Sequence, residues 1–237
     1  MPKRDLCFSA AGEQETEELL LFSSEHPFGA EIYTSLKICG AQPRIGSLWA
    51  GREDDGSLGK ILYDNGAYVT DITEKRGTAA RLPDGAALFE TPPRKNRLRM
   101  MIYKGGECPA PSHAVQLHGT ELIRIYQAVK ESEALSDKTE KRYVYRVLCD
   151  NAGLSESFVI QEDGRTAATA SICAKNRKYA LIGDVYTVYA YRYQGYASAL
   201  VRACVACAQK RGLVPVLYCE KELTGFYKRL GFDIKIL

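Results

Sequence analysis

One short segment has the residue types and the spacing of a turn that binds phosphate. Arg192, Gly195 and Ala197 form an R-x-x-G-x-A pattern, which follows the apolar run 180–187 and precedes the helical run 198–211. Glycine lets the backbone approach an anion without a Cβ atom in the way, and the first amides of a helix have no acceptor inside that helix. Because these N–H groups and the helix dipole point toward a bound anion, the pattern predicts a site for a pyrophosphate group.

Neighbouring residues strengthen this prediction. Arg192 adds a positive charge at the mouth of the turn, and Ser198 can cap the helix or donate through its hydroxyl group. Such a turn alone is a weak signal, since glycine-bearing strand-to-helix turns are common in α/β proteins. Its weight increases because a β-rich run follows at 214–219, and then a short helix that carries Tyr227 within the motif Phe-Tyr-Lys-Arg-Leu-Gly-Phe at 226–232.

Taken together, these segments resemble the acetyl-CoA-binding core of the GNAT acetyltransferase superfamily. The resemblance covers residues 140–237 and rests on Asp-Val-Tyr-Thr at 184–187, the turn at 191–197 and the motif at 226–232, in the family's order and spacing. It implies an α/β (α+β) fold with a mixed, mostly antiparallel, twisted sheet and flanking helices. It also implies acetyl-CoA as cosubstrate, no metal, and transfer of an acetyl group to a primary amine of a small molecule, amino acid or peptide.

The resemblance also assigns the cofactor contacts. Family members hold pantetheine between two splayed parallel strands, which here would be 179–187 and 214–219. The backbone of Val185 and Thr187 would then hydrogen-bond the pantetheine and the thioester carbonyl. The predicted cofactor-binding residues are Val185, Tyr186, Thr187, Arg192, Tyr193, Gln194, Gly195, Tyr196, Ala197 and Ser198.

Three side chains are candidates for proton transfer. Tyr227 stands where family members often carry the tyrosine that protonates the departing sulfur, and packing under the sheet is the alternative role. Asp184, which we expect to be partly buried, is the candidate base; the alternative is a strand-edge or capping carboxylate. Glu220 replaces an asparagine that many family members place near the cofactor, which means either an altered pantetheine contact or a base recruited from a new position.

Composition limits the function classes. The 237 residues are 46% hydrophobic and 26% charged, as in an ordinary soluble domain, and the net charge of +3 lacks the excess typical of nucleic-acid or membrane-surface binders. The sequence has no long apolar stretch and no signal segment, so we expect a cytoplasmic monomer or homodimer without nucleic-acid or membrane partners. Its cysteines and histidines lack the spacing of a metal site.

Periodicity and turn signals predict the elements that position these residues. In the N-terminal half they are helices at 16–22 and 27–39 and strands at 47–51, 58–63, 67–73 and 97–103, with a hairpin turn at 54–56. In the second half they are helices at 121–133, 139–150, 198–211 and 223–230 and strands at 158–161, 166–174, 179–187, 214–219 and 232–237. Residues 105–112 form the candidate linker, so we predict domains at 1–110 and 111–237.

The two halves share an order of parts that ends in a G-x-A turn, at 77–79 and at 195–197. In the first half, however, Glu74 stands where the second half has Arg192, and Pro83 truncates any helix. A carboxylate would repel phosphate, and a missing helix removes the amide donors. The smaller N-terminal α/β half is therefore either an eroded GNAT-like unit that does not bind CoA or a chance similarity of short segments.

Two further function classes stay open. A catalytically silent CoA-binding regulatory module would keep the turn and lack turnover. A Rossmann-like nucleotide site is the weaker alternative, because its G-x-G-x-x-G fingerprint stands near the start of a βαβ unit, whereas this turn has one glycine late in the chain.

Overall fold

A computed structural model describes residues 6–27, 29–40, 47–64, 69–73, 80–81, 98–130 and 139–234. The chain divides into two compact units, Met1–Arg97 and Leu98–Leu237. The division thus lies earlier in the chain than the boundary predicted between residues 110 and 111.

The N-terminal unit is a five-stranded sheet with two helices. Its elements are β1 (Leu6–Ala10), α1 (Thr16–Ser24), α2 (Gly29–Cys39), β2 (Ser47–Arg52), β3 (Leu58–Asp64), β4 (Val69–Thr73) and β5 (Ala80–Arg81). The strand order is β4-β3-β2-β1-β5, and all pairs are antiparallel except β1 with β5. A small apolar core contains Leu19, Ile32, Leu36 and Ile61. The predicted hairpin between β2 and β3 is present, with Gly56 at a positive φ of 82°.

The C-terminal unit is a seven-stranded sheet between helices. Its elements are β6 (Arg99–Tyr103), β7 (Val115–Leu117), α3 (Ile123–Lys130), α4 (Thr139–Asn151), β8 (Glu156–Glu162), β9 (Arg165–Lys175), β10 (Tyr179–Thr187), α5 (Tyr196–Lys210), β11 (Val214–Cys219), α6 (Thr224–Arg229) and β12 (Phe232–Ile234). The strand order is β12-β6-β11-β10-β9-β8-β7. Of the strand pairs described in this unit, only β10 and β11 run parallel, so the sheet is mixed and mostly antiparallel, as predicted.

Both units repeat one order of elements. In each, a strand is followed by two helices and then by three antiparallel strands, and the four strands lie side by side in chain order: β1 to β4 in one unit, β7 to β10 in the other. This repeat favours the eroded GNAT-like unit over chance similarity. The N-terminal G-x-A segment at 77–79, with Glu74 and Pro83, lies outside the described residues.

Strand β6 takes a place that its position in the chain does not predict. It lies between β11 and β12 and is antiparallel to both, with Leu217 opposite Met101 and Phe232 opposite Tyr103. The loop that follows is fastened to α5, since the Cys108 amide donates to Gln209 Oε1 at 3.0 Å. The segment predicted to be a linker is therefore bound to the C-terminal unit, and β6 belongs to its sheet.

Period-two alternation separates the two faces of this sheet. One face carries apolar side chains of β8, β9 and β10, such as Ile160, Ala170 and Ile182, which pack against Val201 and Cys204 of α5. The other face lies toward α3 and α4, where Val159 forms a smaller cluster with Leu117 and Leu122. Each face of the sheet is thus covered by its own helices, so a cleft can form only at the sheet edges or at the loops.

A buried ion cluster ties α5 to the sheet. Glu156, which is 3% exposed, accepts from Lys175 Nζ at 2.7 Å and from Arg211 Nη2 at 2.5 Å, both through Oε1. These residues come from the start of β8, the end of β9 and the end of α5. The cluster therefore holds the C-terminal end of α5 in place.

Replacing Glu156 should be strongly destabilising. We expect Glu156→Ala to lower the free energy of unfolding by about 3–5 kcal/mol, because it removes the buried carboxylate that pairs with the Lys175 ammonium. Chemical denaturation measures this loss, and the exposed Glu222→Ala serves as a control that should change it by less than about 0.5 kcal/mol. An equal effect of both substitutions would contradict the assignment.

The position of β6 predicts which fragment folds. We expect residues 98–237 to unfold cooperatively on heating, while residues 111–237 give no cooperative transition, because the edges of β11 and β12 lose their partner and the core loses the buried Met101. Circular dichroism melts of the two fragments and of the full chain measure the difference. Equal melting temperatures for both fragments would show that β6 is dispensable.

Candidate active site

The parallel strands β10 and β11 separate partway along their length. Their pairing runs from Tyr179 opposite Val214 to Ile182 opposite Leu217 and then stops, although β10 continues to Thr187 and β11 to Cys219. Beyond this point, β11 stays paired through its other edge to β6. From Gly183 onward, the main-chain groups of β10 that face the gap therefore have no hydrogen-bonding partner in β11. This is the splay that the family resemblance implies.

A β-bulge marks the same point on β10. Its register with β9 shifts between Gly183, opposite Ser171, and Tyr186, opposite Thr169. Asp184 lies in the bulge with a φ of 50°, and its carbonyl accepts from Thr169 Oγ1 at 2.8 Å. A left-handed conformation costs a residue with a side chain about 1–2 kcal/mol. The surrounding hydrogen bonds hold this strained backbone in place.

The Asp184 side chain is more exposed than we expected from the sequence. It is 44% exposed, and its Oδ2 accepts from Arg146 Nη2 of α4 at 2.7 Å. This exposure contradicts the expected partial burial. Its role as base stays a prediction, now with an arginine partner that no sequence motif indicated.

The predicted phosphate turn has the required backbone geometry. Gly195 is the N-cap of α5 with a φ of 84°, and a Cβ atom at this position would meet nothing within 4 Å, so glycine serves the backbone conformation and not a close contact. No side chain caps α5. The Gly195 carbonyl accepts the first helical bond from the Ala199 amide at 3.0 Å, so the N–H groups of Tyr196, Ala197 and Ser198 have no acceptor within the helix. Ser198 lies in the first turn and is not the cap.

Two side chains brace this turn. Arg192 is exposed; its Nε donates to the Thr187 carbonyl at 3.2 Å, and its guanidinium lies 5.3 Å from the Tyr189 ring centroid. Tyr196 Oη donates to Glu162 Oε1 at 2.6 Å, which raises the pKa of Tyr196 and ties α5 to the β8–β9 hairpin. The backbone of Thr187, which is predicted to contact the cofactor, therefore already has a donor at its carbonyl. Tyr193, with a φ of 65°, is fully exposed at the tip, and Gln194 is exposed beside it.

Tyr227 has the packing role that the sequence left open, and its role as proton donor stays a prediction. Its ring is buried in the core and packs edge-on against Phe226 at 4.9 Å and Phe232 at 6.0 Å. Burial, followed by the nearby Cys219 and Cys204 thiols, raises the pKa of Tyr227 to about 12. No hydrogen bond to its hydroxyl is found among the described residues. The phenol therefore keeps its proton at neutral pH and can donate it.

Glu220 lies at the end of β11 on the surface. It is exposed, and its carbonyl accepts from the Leu223 amide at 3.0 Å in the turn that leads to α6. Because β10 and β11 are parallel, Asp184 and Glu220 lie at the same edge of the sheet, and α6 with Tyr227 follows directly. The remaining predicted contacts, Val185 and Tyr186, are half-buried along the unpaired part of β10.

The described parts of the chain show no sign of a metal site or of a membrane span. No group of three histidine, cysteine or acidic side chains there could hold a metal ion. In the same ranges, no helix has both the length and the apolar character needed to cross a bilayer. The cysteines described at side-chain level are free thiols, and Cys149, Cys204 and Cys219 are buried.

Comparisons with known proteins agree with this geometry. Residues 120–232 match the family model of the acetyltransferase (GNAT) family. An acetyltransferase of the GNAT family from Colwellia psychrerythraea is 11% identical, with 96% of each chain covered and a TM-score of 0.58. A tandem GNAT protein from the clavulanic acid biosynthesis pathway is 15% identical, with 97% of this chain and 95% of that chain covered and a TM-score of 0.53.

A third structure matches part of the chain. A GNAT-family protein from Novosphingobium aromaticivorans is 24% identical over 61% of this chain and 65% of that chain, with a TM-score of 0.46. No curated protein matches the sequence. At these identities the likeness to solved structures concerns the fold, which is a GNAT fold over the whole chain. The C-terminal half of this protein, residues 120–232, is a domain of the GNAT acetyltransferase family.

Proposed function

We propose that this protein is an acetyl-CoA-dependent N-acetyltransferase that acts on a primary amine of a small molecule, amino acid or peptide. One observation carries the proposal: the unpaired ends of β10 and β11 open directly beside the uncapped N-terminus of α5. A ligand that fits needs main-chain hydrogen-bonding groups for a narrow arm and a negative charge for the helix end. In acetyl-CoA, pantetheine is the narrow arm and the pyrophosphate carries the negative charge.

The residues present fit acetyl-CoA in chemistry and order. The N–H groups of residues 196–198 have no helical acceptor and would bind the pyrophosphate, with the Arg192 guanidinium beside them. The unpaired backbone of β10 around Val185 would bind the pantetheine. When bound, acetyl-CoA supplies an activated acetyl thioester. The protein's part is to orient it and to move protons.

Two groups would move these protons. Tyr227 would donate to the sulfur that leaves, because its pKa of about 12 keeps the phenol protonated. Asp184, exposed at the bulge, would accept a proton from the acceptor ammonium directly or through water, so that the amine can attack the thioester carbonyl. Glu220, exposed at the end of β11, is the second candidate base.

Thiol release tests the proposal. The full chain is incubated with acetyl-CoA and a panel of amines that contains free amino acids, polyamines, aromatic alkylamines and peptides with a free N-terminus, and free CoA thiol is measured. Amine-dependent release with an acetylated product supports the enzyme. Tight CoA binding by calorimetry without turnover of any amine, unchanged by Tyr227→Phe, would instead support a catalytically silent CoA-binding module.

The turn glycine gives a direct test of phosphate binding. Gly195→Ala should weaken CoA binding about tenfold, because forcing a Cβ into the left-handed conformation costs about 1–2 kcal/mol and shifts the amides of the turn. Calorimetry with CoA measures the change. Gly212→Ala is the matched control, since Gly212 has a φ of 70° and open space at the other end of α5. Equal weakening by both substitutions would argue against a phosphate site at Gly195.

Removing the Tyr227 hydroxyl should slow catalysis without weakening cofactor binding. We expect Tyr227→Phe to lower kcat about 100-fold and to leave the Kd for CoA within about twofold, because only the proton donor is lost. Tyr179→Phe, at another buried tyrosine, should leave kcat unchanged.

The pH profile adds a second check on Tyr227. An acid must be protonated to donate, and a pKa of about 12 keeps Tyr227 protonated from neutral pH to about pH 11. Any alkaline decline of kcat below pH 10 should therefore persist unchanged in Tyr227→Phe. A decline near pH 9 that this substitution removes would show that Tyr227 titrates well below the pKa of about 12 that its burial gives.

A further inference from the structure

The sheet face toward α4 is polar where it approaches the splay. Ser157, Thr169 and Ser171 are at most 1% exposed, yet they alternate with the apolar residues that face α5. Ser157 and Ser171 bond each other at 2.9 Å, and Thr169 holds the Asp184 carbonyl. A buried face built this way is shaped for polar partners and not for close apolar packing.

Arg146 of α4 occupies this face. Its side chain is 20% exposed, Nη2 donates to Asp184 Oδ2 at 2.7 Å, and Nη1 is buried without a hydrogen-bond partner among the described residues. The Cys173 thiol of β9 lies nearby, and Gly183 leaves space there, since a Cβ on it would come within 2.8 Å of Cys173 Sγ. Burying a guanidinium costs several kcal/mol, so stability alone is a poor reason for this arginine.

Two unfavourable features converge on one carboxylate. The backbone of Asp184 is in the left-handed region, and its side chain is held by the largely buried Arg146. Both lie where β10 leaves β11, at the place where the thioester would lie under the proposed function. Strain and buried charge that meet at one cleft residue are typical of a functional site.

We propose that Arg146 is the positioning residue of the acceptor site. Arg146 holds Oδ2 of Asp184 in place, so that Oδ1 faces the cleft. Oδ1 then binds the ammonium group of the acceptor and takes a proton from it. This inference rests on the proposed function. Because Nη1 is buried, a carboxylate on the acceptor cannot reach it without a rearrangement, so Arg146 acts through Asp184 and not as a direct anchor.

The proton balance of the reaction is complete. One of the three ammonium protons goes to Asp184 and then to water. The freed nitrogen lone pair forms the bond to the acetyl carbon as the carbon–sulfur bond breaks. A second nitrogen proton replaces the one that Tyr227 gives to the sulfur, and the third stays on the amide.

A double-mutant cycle in the full chain tests the inference. Arg146→Met, Asp184→Asn and the double variant are assayed with acetyl-CoA and the amine of the panel that has the highest wild-type kcat/KM. Each single substitution should lower kcat/KM for the amine about 10- to 100-fold, and the double variant should be no worse than the poorer single one. The Kd for CoA should stay within twofold. Arg146→Lys should recover part of the loss, and the exposed Arg124→Met is the matched control.

The outcomes separate the possibilities. Losses that multiply in the double variant would show that Arg146 acts independently of Asp184 and would overturn the inference. An unchanged kcat/KM per folded molecule in Arg146→Met, with folding followed by circular dichroism, would also overturn the inference. If Arg146→Met does not fold, Arg146→Lys and Arg146→Gln are compared with the wild type in the same way. Absence of wild-type turnover on every amine would instead remove the proposed function, and this inference with it.

Discussion

The candidate site depends on the point at which β10 and β11 stop pairing. From Val216 onward, the outer edge of β11 bonds to β6, while β10 bulges at Asp184 against β9. Each strand therefore satisfies its far edge with a different neighbour, and the facing edges separate. The half-buried main-chain groups along the gap, around Val185 and Tyr186, lack a partner in β11, and an extended ligand that supplies hydrogen bonds in the missing strand's place would fit the proposed function.

The N-terminus of α5 adds the positive end of a helix dipole beside that gap. Gly195 allows the chain to turn from β10 into the helix without a side-chain cap, which leaves the first amides and the positive end of the helix dipole toward solvent. The bond between Tyr196 and Glu162 and the buried Glu156 cluster fix this helix at its two ends. An uncapped helix N-terminus beside an unpaired pair of strands is a more specific arrangement than either part alone.

Local patterns predicted most elements and the turn, because periodicity and glycine conformations are properties of short segments. The strand 179–187 and the strand 214–219 have the predicted bounds. The place of β6 was not predictable, since its partners are more than a hundred residues away and pairing between distant strands leaves no local signal. Arg146 was missed for the same reason: one arginine on an amphipathic helix is unremarkable until the fold brings Asp184 to it.

The two units repeat one topology but differ at the strand that corresponds to β10. Strand β4 of the N-terminal unit corresponds to β10, yet in the described residues it forms the edge of its sheet and has no parallel partner. Among residues 6–73 and 80–81, as far as they are described, no strand pairs with β4 in the way that β11 pairs with β10, so these residues form no pair of parallel edges that could separate around a pantetheine arm. The described parts of the two units thus differ at the strand pair that opens the splay, in addition to the sequence difference between Glu74 and Arg192.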